Sequence, residues 1–179
     1  MTSTLRTICL LAGTVAGIRP PAAAQSLQTL AVQASGAVLF ATAKDPSFES
    51  RTRLGYEVQL RYTFSRFSLG AGYQRSTVFA FPNNPLKLDL SLGFIEPRLV
   101  LTAGRMVALY GAARVGVGKL VCGTQCAANR TDFTYGGGGG LLFRLSRRLS
   151  SDLGAQLFQV TGSLSQSFAM ARLGLGLGL

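Results

Sequence analysis

Residues 54–64 alternate with a period of two. Leu54, Tyr56, Val58, Leu60, Tyr62 and Phe64 share one parity, and Glu57, Gln59, Arg61 and Thr63 share the other. Successive side chains of a strand point to opposite faces, so this is a strand with one large apolar face. A short turn at Ser65 and Arg66 follows. The alternation then resumes with Phe67, Leu69, Ala71 and Tyr73 against Ser68, Gly70, Gly72 and Gln74. The pair reads as a β-hairpin. The same unit recurs to the last residue, and no helix-period segment of useful length interrupts it. An all-β architecture is what such a chain can form.

Eight strands are expected. The first, near residues 27–42, sets Leu30, Val32, Ala34, Val38 and Phe40 against Gln33 and Ser35. The hairpin supplies the second and third. In the fourth, Leu86, Leu88, Leu90, Leu92 and Phe94 alternate with Lys87, Asp89, Ser91 and Gly93, and the apolar phase then passes to Leu99 and Leu101. Pro97 cannot donate to a ladder, and a bulge shifts the face by one, so a bulge at residues 95–97 accounts for both. The fifth sets Val107, Leu109, Ala113, Val115 and Val117 against Tyr110, Arg114, Gly116 and Gly118. The sixth sets Phe133, Tyr135, Leu141 and Phe143 against Thr134, Gly136, Gly138, Gly140 and Arg144. The seventh opposes Leu149, Leu153, Ala155 and Leu157 to Asp152, Gly154, Gln156 and Phe158. The eighth opposes Ala169, Ala171, Leu173, Leu175 and Leu177 to Met170, Arg172, Gly174 and Gly176.

The connections alternate as well. Those near residues 65–66, 103–105 and 146–148 are tight, whereas those near 44–50, 81–85, 120–130 and 161–166 are longer. Short turns on one rim and longer loops on the other are the pattern of an up-and-down membrane barrel.

The first 24 residues read as a secretory signal peptide: Arg6, an apolar run over residues 7–18, and Ala22, Ala23 and Ala24 before Gln25. Its removal takes away Arg6 and Arg19 and no acid, lowering the formal net charge of +11 by two. Export argues against a nucleic-acid partner for this basic chain. Cys122 and Cys126 remain, an even pair suited to a loop disulfide in an oxidising compartment. No later run approaches the roughly 18 apolar residues of a transmembrane helix.

Alternation alone does not say which face is outside. The face opposite the apolar one carries Gly70, Gly72, Gly116, Gly118, Gly136, Gly138, Gly174 and Gly176. A soluble barrel would show Lys, Glu, Thr and Ser to water there. A narrow eight-stranded lumen needs small residues interleaved with large ones. The apolar face suits lipid, and a sheet in hydrocarbon must close on itself to pair its backbone. The expected fold is a closed eight-stranded antiparallel up-and-down transmembrane β-barrel over residues 25–179.

On this architecture the chain resembles the small eight-stranded outer-membrane barrels of the OmpA/OmpX type, including the opacity-protein-like group. The resemblance implies a bacterial outer membrane. Outer-membrane lipid, lipopolysaccharide included, is the expected partner, and the barrel is expected to be a monomer.

Interior parity gathers Glu57, Arg61, Asp89, Glu96, Arg98, Arg114, Arg144, Asp152 and Arg172. Isolated buried charges are very costly, so these are expected to pair. They form either a salt-bridged plug or a narrow selective pore, and eight strands leave little lumen for the latter. Without a histidine, His-dependent dyads and triads are unavailable. Neither a metal site nor a cofactor is expected, and no enzyme activity. Arg75 has lipid-facing parity and should lie near the outer interface. With Lys44, Arg51, Lys119 and Arg130 near the same rim, it is expected to contact lipid phosphates. The leading reading is a structural or surface-interaction barrel. A narrow pore and a secreted soluble barrel with an apolar ligand are the alternatives.

Overall fold

The computed structural model describes residues 30–42, 53–81, 84–122, 130–161 and 166–179. The segment read as a signal peptide lies outside them. The strands are β1 (Leu30–Ala41), β2 (Arg53–Phe64), β3 (Phe67–Phe81), β4 (Asn84–Ala103), β5 (Val107–Cys122), β6 (Arg130–Arg144), β7 (Leu149–Val160) and β8 (Gln166–Gly178). Each pairs antiparallel with its neighbour in sequence, and β1 pairs with β8 from Ala31↔Gly178 to Ala41↔Phe168. The barrel is closed. No free edge remains among the described strands, which is the condition for a sheet to sit in hydrocarbon.

The tight turns all lie at one end. Phe64 and Phe67 close the β2–β3 hairpin with their rings 5.1 Å apart. The two-residue turn between them puts Ser65 at φ 53°, the left-handed region that such hairpin loops require. The start of β1 and the end of β8 lie at this end too, where Leu179 N–H donates to the Leu30 carbonyl at 3.0 Å.

Parity assigns the faces as the alternation predicts on seven strands. Leu54, Tyr56, Val58, Leu60, Tyr62 and Phe64 are exposed on the outside of β2, while Glu57, Gln59 and Arg61 are buried in the lumen. Leu153, Leu157, Leu173, Leu175 and Leu177 likewise face out.

On β4 the expectation fails. Leu90, Leu92 and Phe94 point into the lumen with Glu96, Arg98 and Val100, and Asp89, Ser91 and Gly93 lie on the outside with Ile95 and Leu99. There is no bulge at residues 95–97. The β3–β4 register runs unbroken from Phe67↔Leu99 to Thr77↔Asp89. The β4–β5 pairing leaves out Glu96 and Pro97, where Pro97 has no N–H to give, and resumes at Arg98↔Ala112 in the same register. The irregularities fall elsewhere, between Thr77 and Phe79, between Ala80 and Phe81, and between Val100 and Thr102. The apolar pattern changes face because the surroundings change with height, not because the strand slips.

The lumen is therefore layered. At the loop end, Ala37, Leu39, Leu90, Phe158, Val160, Phe168 and Met170 form a dry cluster, with the Phe158 and Phe168 rings stacked at 5.3 Å. Below it lies a belt of charged side chains. At the tight-turn end a small cavity opens.

Candidate functional site: an ion-paired lumen

Interior parity brings side chains from β2, β4, β5, β7 and β8 to one level of the barrel. Glu96 of β4 is the hub. Its carboxylate accepts from Arg61 at 3.0 Å, Arg98 at 2.7 Å, Arg114 at 2.6 Å, Arg172 at 2.9 Å and the Gln156 amide at 2.8 Å. Glu57 takes Arg114 at 2.7 Å and Arg172 at 3.0 Å. Asp152 pairs with Arg98 and accepts from the Tyr110 hydroxyl at 2.9 Å. The side chains of Glu57, Glu96 and Arg172 are fully shielded from solvent.

Four guanidiniums thus share three carboxylates. Charges removed from water to this extent persist only where partners surround them. Two ring contacts help to carry the cationic excess. The Arg114 guanidinium lies 3.8 Å from the Phe94 ring centroid, and that of Arg98 lies 4.4 Å from the Tyr110 ring.

Glycine makes room for these groups. A Cβ on Gly70 would stand 2.6 Å from Gln59 Oε1 and 2.7 Å from Arg61 Nη2. One on Gly154 would stand 2.8 Å from the Tyr110 hydroxyl. The small residues opposite the oily face are the spaces into which arginine, glutamine and tyrosine fold.

Seven of the nine residues expected in the interior network meet here: Glu57, Arg61, Glu96, Arg98, Arg114, Asp152 and Arg172. Asp89 does not. It lies on the outside and pairs with Arg75 at 3.0 Å, because β4 keeps its phase and carries odd-numbered residues outward. Arg144 lines the cavity at the tight-turn end, below the network. The network also recruits Gln59, Gln74, Gln156, Ser68 and Tyr110. Their parity placed them inward, and the need of each arginine for several acceptors was the signal that they belong.

Of the residues expected to touch lipid phosphate, Arg75 and Lys119 are exposed on the outer surface. They stand at one height, joined through Ser91, which is opposite both in the ladder. Arg75 is already engaged by Asp89. Arg130 begins β6. Lys44, Arg51 and Cys126 lie outside the described residues, and Cys122 ends β5.

No protein-family model matches the chain, and no curated protein matches it. Solved structures do. Neisserial surface protein A is similar with a TM-score of 0.72 at 14% identity, over 84% of this chain and 97% of that one. Ail, the attachment invasion locus protein of Yersinia pestis, is similar with a TM-score of 0.57 at 15% identity, over 84% and 99%. A second Ail structure, in complex with the heparin analogue sucrose octasulfate, gives 0.56. At such identities the likeness is one of fold: the small eight-stranded outer-membrane barrel of the OmpA/OmpX type.

Proposed function

We propose that this chain, built on the small outer-membrane barrel fold, is an integral outer-membrane protein with a shut lumen. Its spanning part is structural, and its loop-side end is available for surface contact. The observation that carries this reading is the Glu96 hub, where one carboxylate ties four arginines from β2, β4, β5 and β8 across the bore. Ions would have to break those bonds to pass. The oily exterior of Leu54, Leu60, Leu157 and Leu173 supports the membrane setting.

Envelope fractionation followed by electrophoresis with and without boiling tests the setting. The protein should partition with the outer membrane, and the unboiled barrel should migrate faster. Recovery in the aqueous fraction without detergent, which the soluble-barrel alternative requires, would overturn it. Planar-bilayer recording tests closure. Wild type should give no discrete openings, and steady conductance would favour the narrow-pore reading instead.

Two finer contacts belong to the proposal. Arg75 and Lys119, with Lys44, Arg51 and Arg130 near the same rim in sequence, contact outer-leaflet lipid phosphates such as those of lipopolysaccharide. That Ail was solved with a polyanion supports testing this rim. Charge reversal of Lys119 and Arg51 should lower lipopolysaccharide retention, and unchanged retention removes the contact. Cys122 and Cys126 form a loop disulfide, which predicts alkylation of both only after reduction.

A further inference from the structure

Each of the three tight turns repeats one arrangement, an arginine beside exposed apolar side chains. Between β2 and β3, Arg66 falls between Phe64 and Phe67. Between β4 and β5, Arg105 precedes Met106, and between β6 and β7, Arg148 falls between Leu145 and Leu149. Phe64, Met106, Leu145 and Leu149 are exposed, as are Arg105 and Arg148, while Arg66 is half-buried. The turns do not need these guanidiniums to hold their shape. Val100 N–H donates to the Arg66 carbonyl and Gly104 N–H to that of Val107, both at 2.8 Å. The Ser146 hydroxyl accepts from the backbone N–H of Arg148 at 3.2 Å and of Leu149 at 3.0 Å.

No acid of the chain falls in these turns. Of the seven, Glu57, Glu96 and Asp152 are consumed by the belt, and Asp89 and Asp132 stand in the loop-side halves of β4 and β6. Asp45 and Glu49 lie in the sequence between β1 and β2. The terminal carboxylate of Leu179 offsets one cation at the turn end. The loop-side rim is of mixed sign by contrast, since Arg75 is matched there by Asp89. Because the turns come after every second strand, the positive groups are spread around the mouth rather than gathered at one spot.

We propose that this rim docks on anionic glycerophospholipid headgroups, with Arg66, Arg105 and Arg148 meeting phosphate while their apolar neighbours enter the acyl boundary. The planar fork of arginine matches phosphate oxygens two at a time. Apolar side chains set beside basic ones hold a protein surface at the headgroup level. Each basic residue near an anionic surface strengthens the attraction about fivefold. A zwitterionic headgroup also carries phosphate, but its own cation is repelled by a rim without acidic side chains. This docking rests on the outer-membrane reading, in which the tight turns meet the periplasmic leaflet. It concerns the leaflet opposite the one that holds lipopolysaccharide.

The full chain, folded into phosphatidylcholine vesicles, carries the test. Electron spin resonance compares how much spin-labelled phosphatidylglycerol and spin-labelled phosphatidylcholine the barrel immobilises. Wild type should immobilise more of the anionic probe. The excess should be lost in R66Q/R105Q/R148Q, reduced in R105Q alone, and kept in K119Q on the loop side. Flotation with the vesicles and heat-modifiable migration check insertion and folding separately from lipid preference. A chain that neither floats nor shifts on boiling fails the membrane reading, and this docking with it. A barrel that floats with no excess of phosphatidylglycerol overturns the docking alone. So does an excess unchanged in R66Q/R105Q/R148Q, or one that falls equally in K119Q.

Discussion

The two halves of β4 face the same bore and hold opposite contents. Leu90 and Leu92, fully buried, and Phe94 nearby fill the loop-side half. Two residues on, Glu96 and Arg98 enter the ion-paired belt. The outer face changes in the reverse sense, from Asp89 and Ser91 to Ile95, Leu99 and Leu101. Below the switch the barrel is oily outside and ionic within. Above it, the outside of β3 to β5 carries Arg75, Asp89, Ser91 and Lys119, while the inside holds Leu90 and Leu92 beside the hydrogen-bonded pair Gln74 and Ser76. At roughly 3.3 Å per residue and a tilt near 45°, the 20 residues of β4 rise about 45 Å, well beyond an apolar band of about 25 Å. One strand can therefore cross two solvents without changing phase. Hydropathy reports which face is oily at a given height, and only the neighbouring solvent says whether that face is in or out.

Replacing Glu96 by Ala strikes the ionic half hardest. Arg61, Arg98, Arg114 and Arg172 would face one another around two remaining carboxylates. Removing one partner of a buried pair costs about 3–5 kcal/mol, and equilibrium unfolding by urea in lipid vesicles should show a loss at the top of that range. A cost within error of wild type would mean that water floods the belt. The matching change in the apolar half, Leu92→Ala, removes a side chain with no exposed surface. It should cost about 2–4 kcal/mol through lost burial and the cavity left behind. If Leu92→Ala were neutral by the same titration, the loop-side half would not be a packed core.

Gly70→Val tests how far the belt depends on empty space. The new side chain would meet Gln59, held by Glu57, and Arg61, held by Ser68 and Glu96. Overpacking of this kind costs about 1–3 kcal/mol. The same substitution at Gly111, where a Cβ meets nothing within 4 Å, should be closer to neutral. Equal costs at the two positions would dissociate the glycines from the network.

Strand number, closure and seven of the nine interior charges were legible because parity is a local property and a closed antiparallel sheet preserves it. Glu57, Arg61, Arg114 and Arg172 could be placed by counting from the Ser65 turn or along an unbroken alternation. Asp89 could not. Its strand alternates just as cleanly as β2, and the oily residues of both have the same spacing. Taking oily as outward is right for Leu60 and wrong for Leu90, because Leu90 stands beside a polar outer rim that no periodicity encodes. Pro97 compounded the error by offering a plausible bulge where the register runs straight. The cavity of arginines at the turns escaped notice for another reason: Arg61, Arg105, Arg144 and Arg147 come from three separate segments, which only closure brings around one mouth.

The smallest effect should come from the outer pair that marks the switch. Arg75 and Asp89 sit 3.0 Å apart with side chains 53% and 35% exposed, so Arg75→Gln in a thin bilayer should leave unfolding unchanged, as exposed pairs usually do. In a thicker bilayer the hydrocarbon edge rises toward this pair. An Asp89 left without its arginine then enters a medium that penalises unpaired charge, and Arg75→Gln should become destabilising as acyl length grows. Asp89→Asn in the same series should change less, because a lipid-facing arginine near the interface can extend toward the headgroups. A large cost for Arg75→Gln in the thinnest bilayer would mean that the pair already lies in hydrocarbon. The polarity of β4 would then be inverted inside the membrane rather than at its edge.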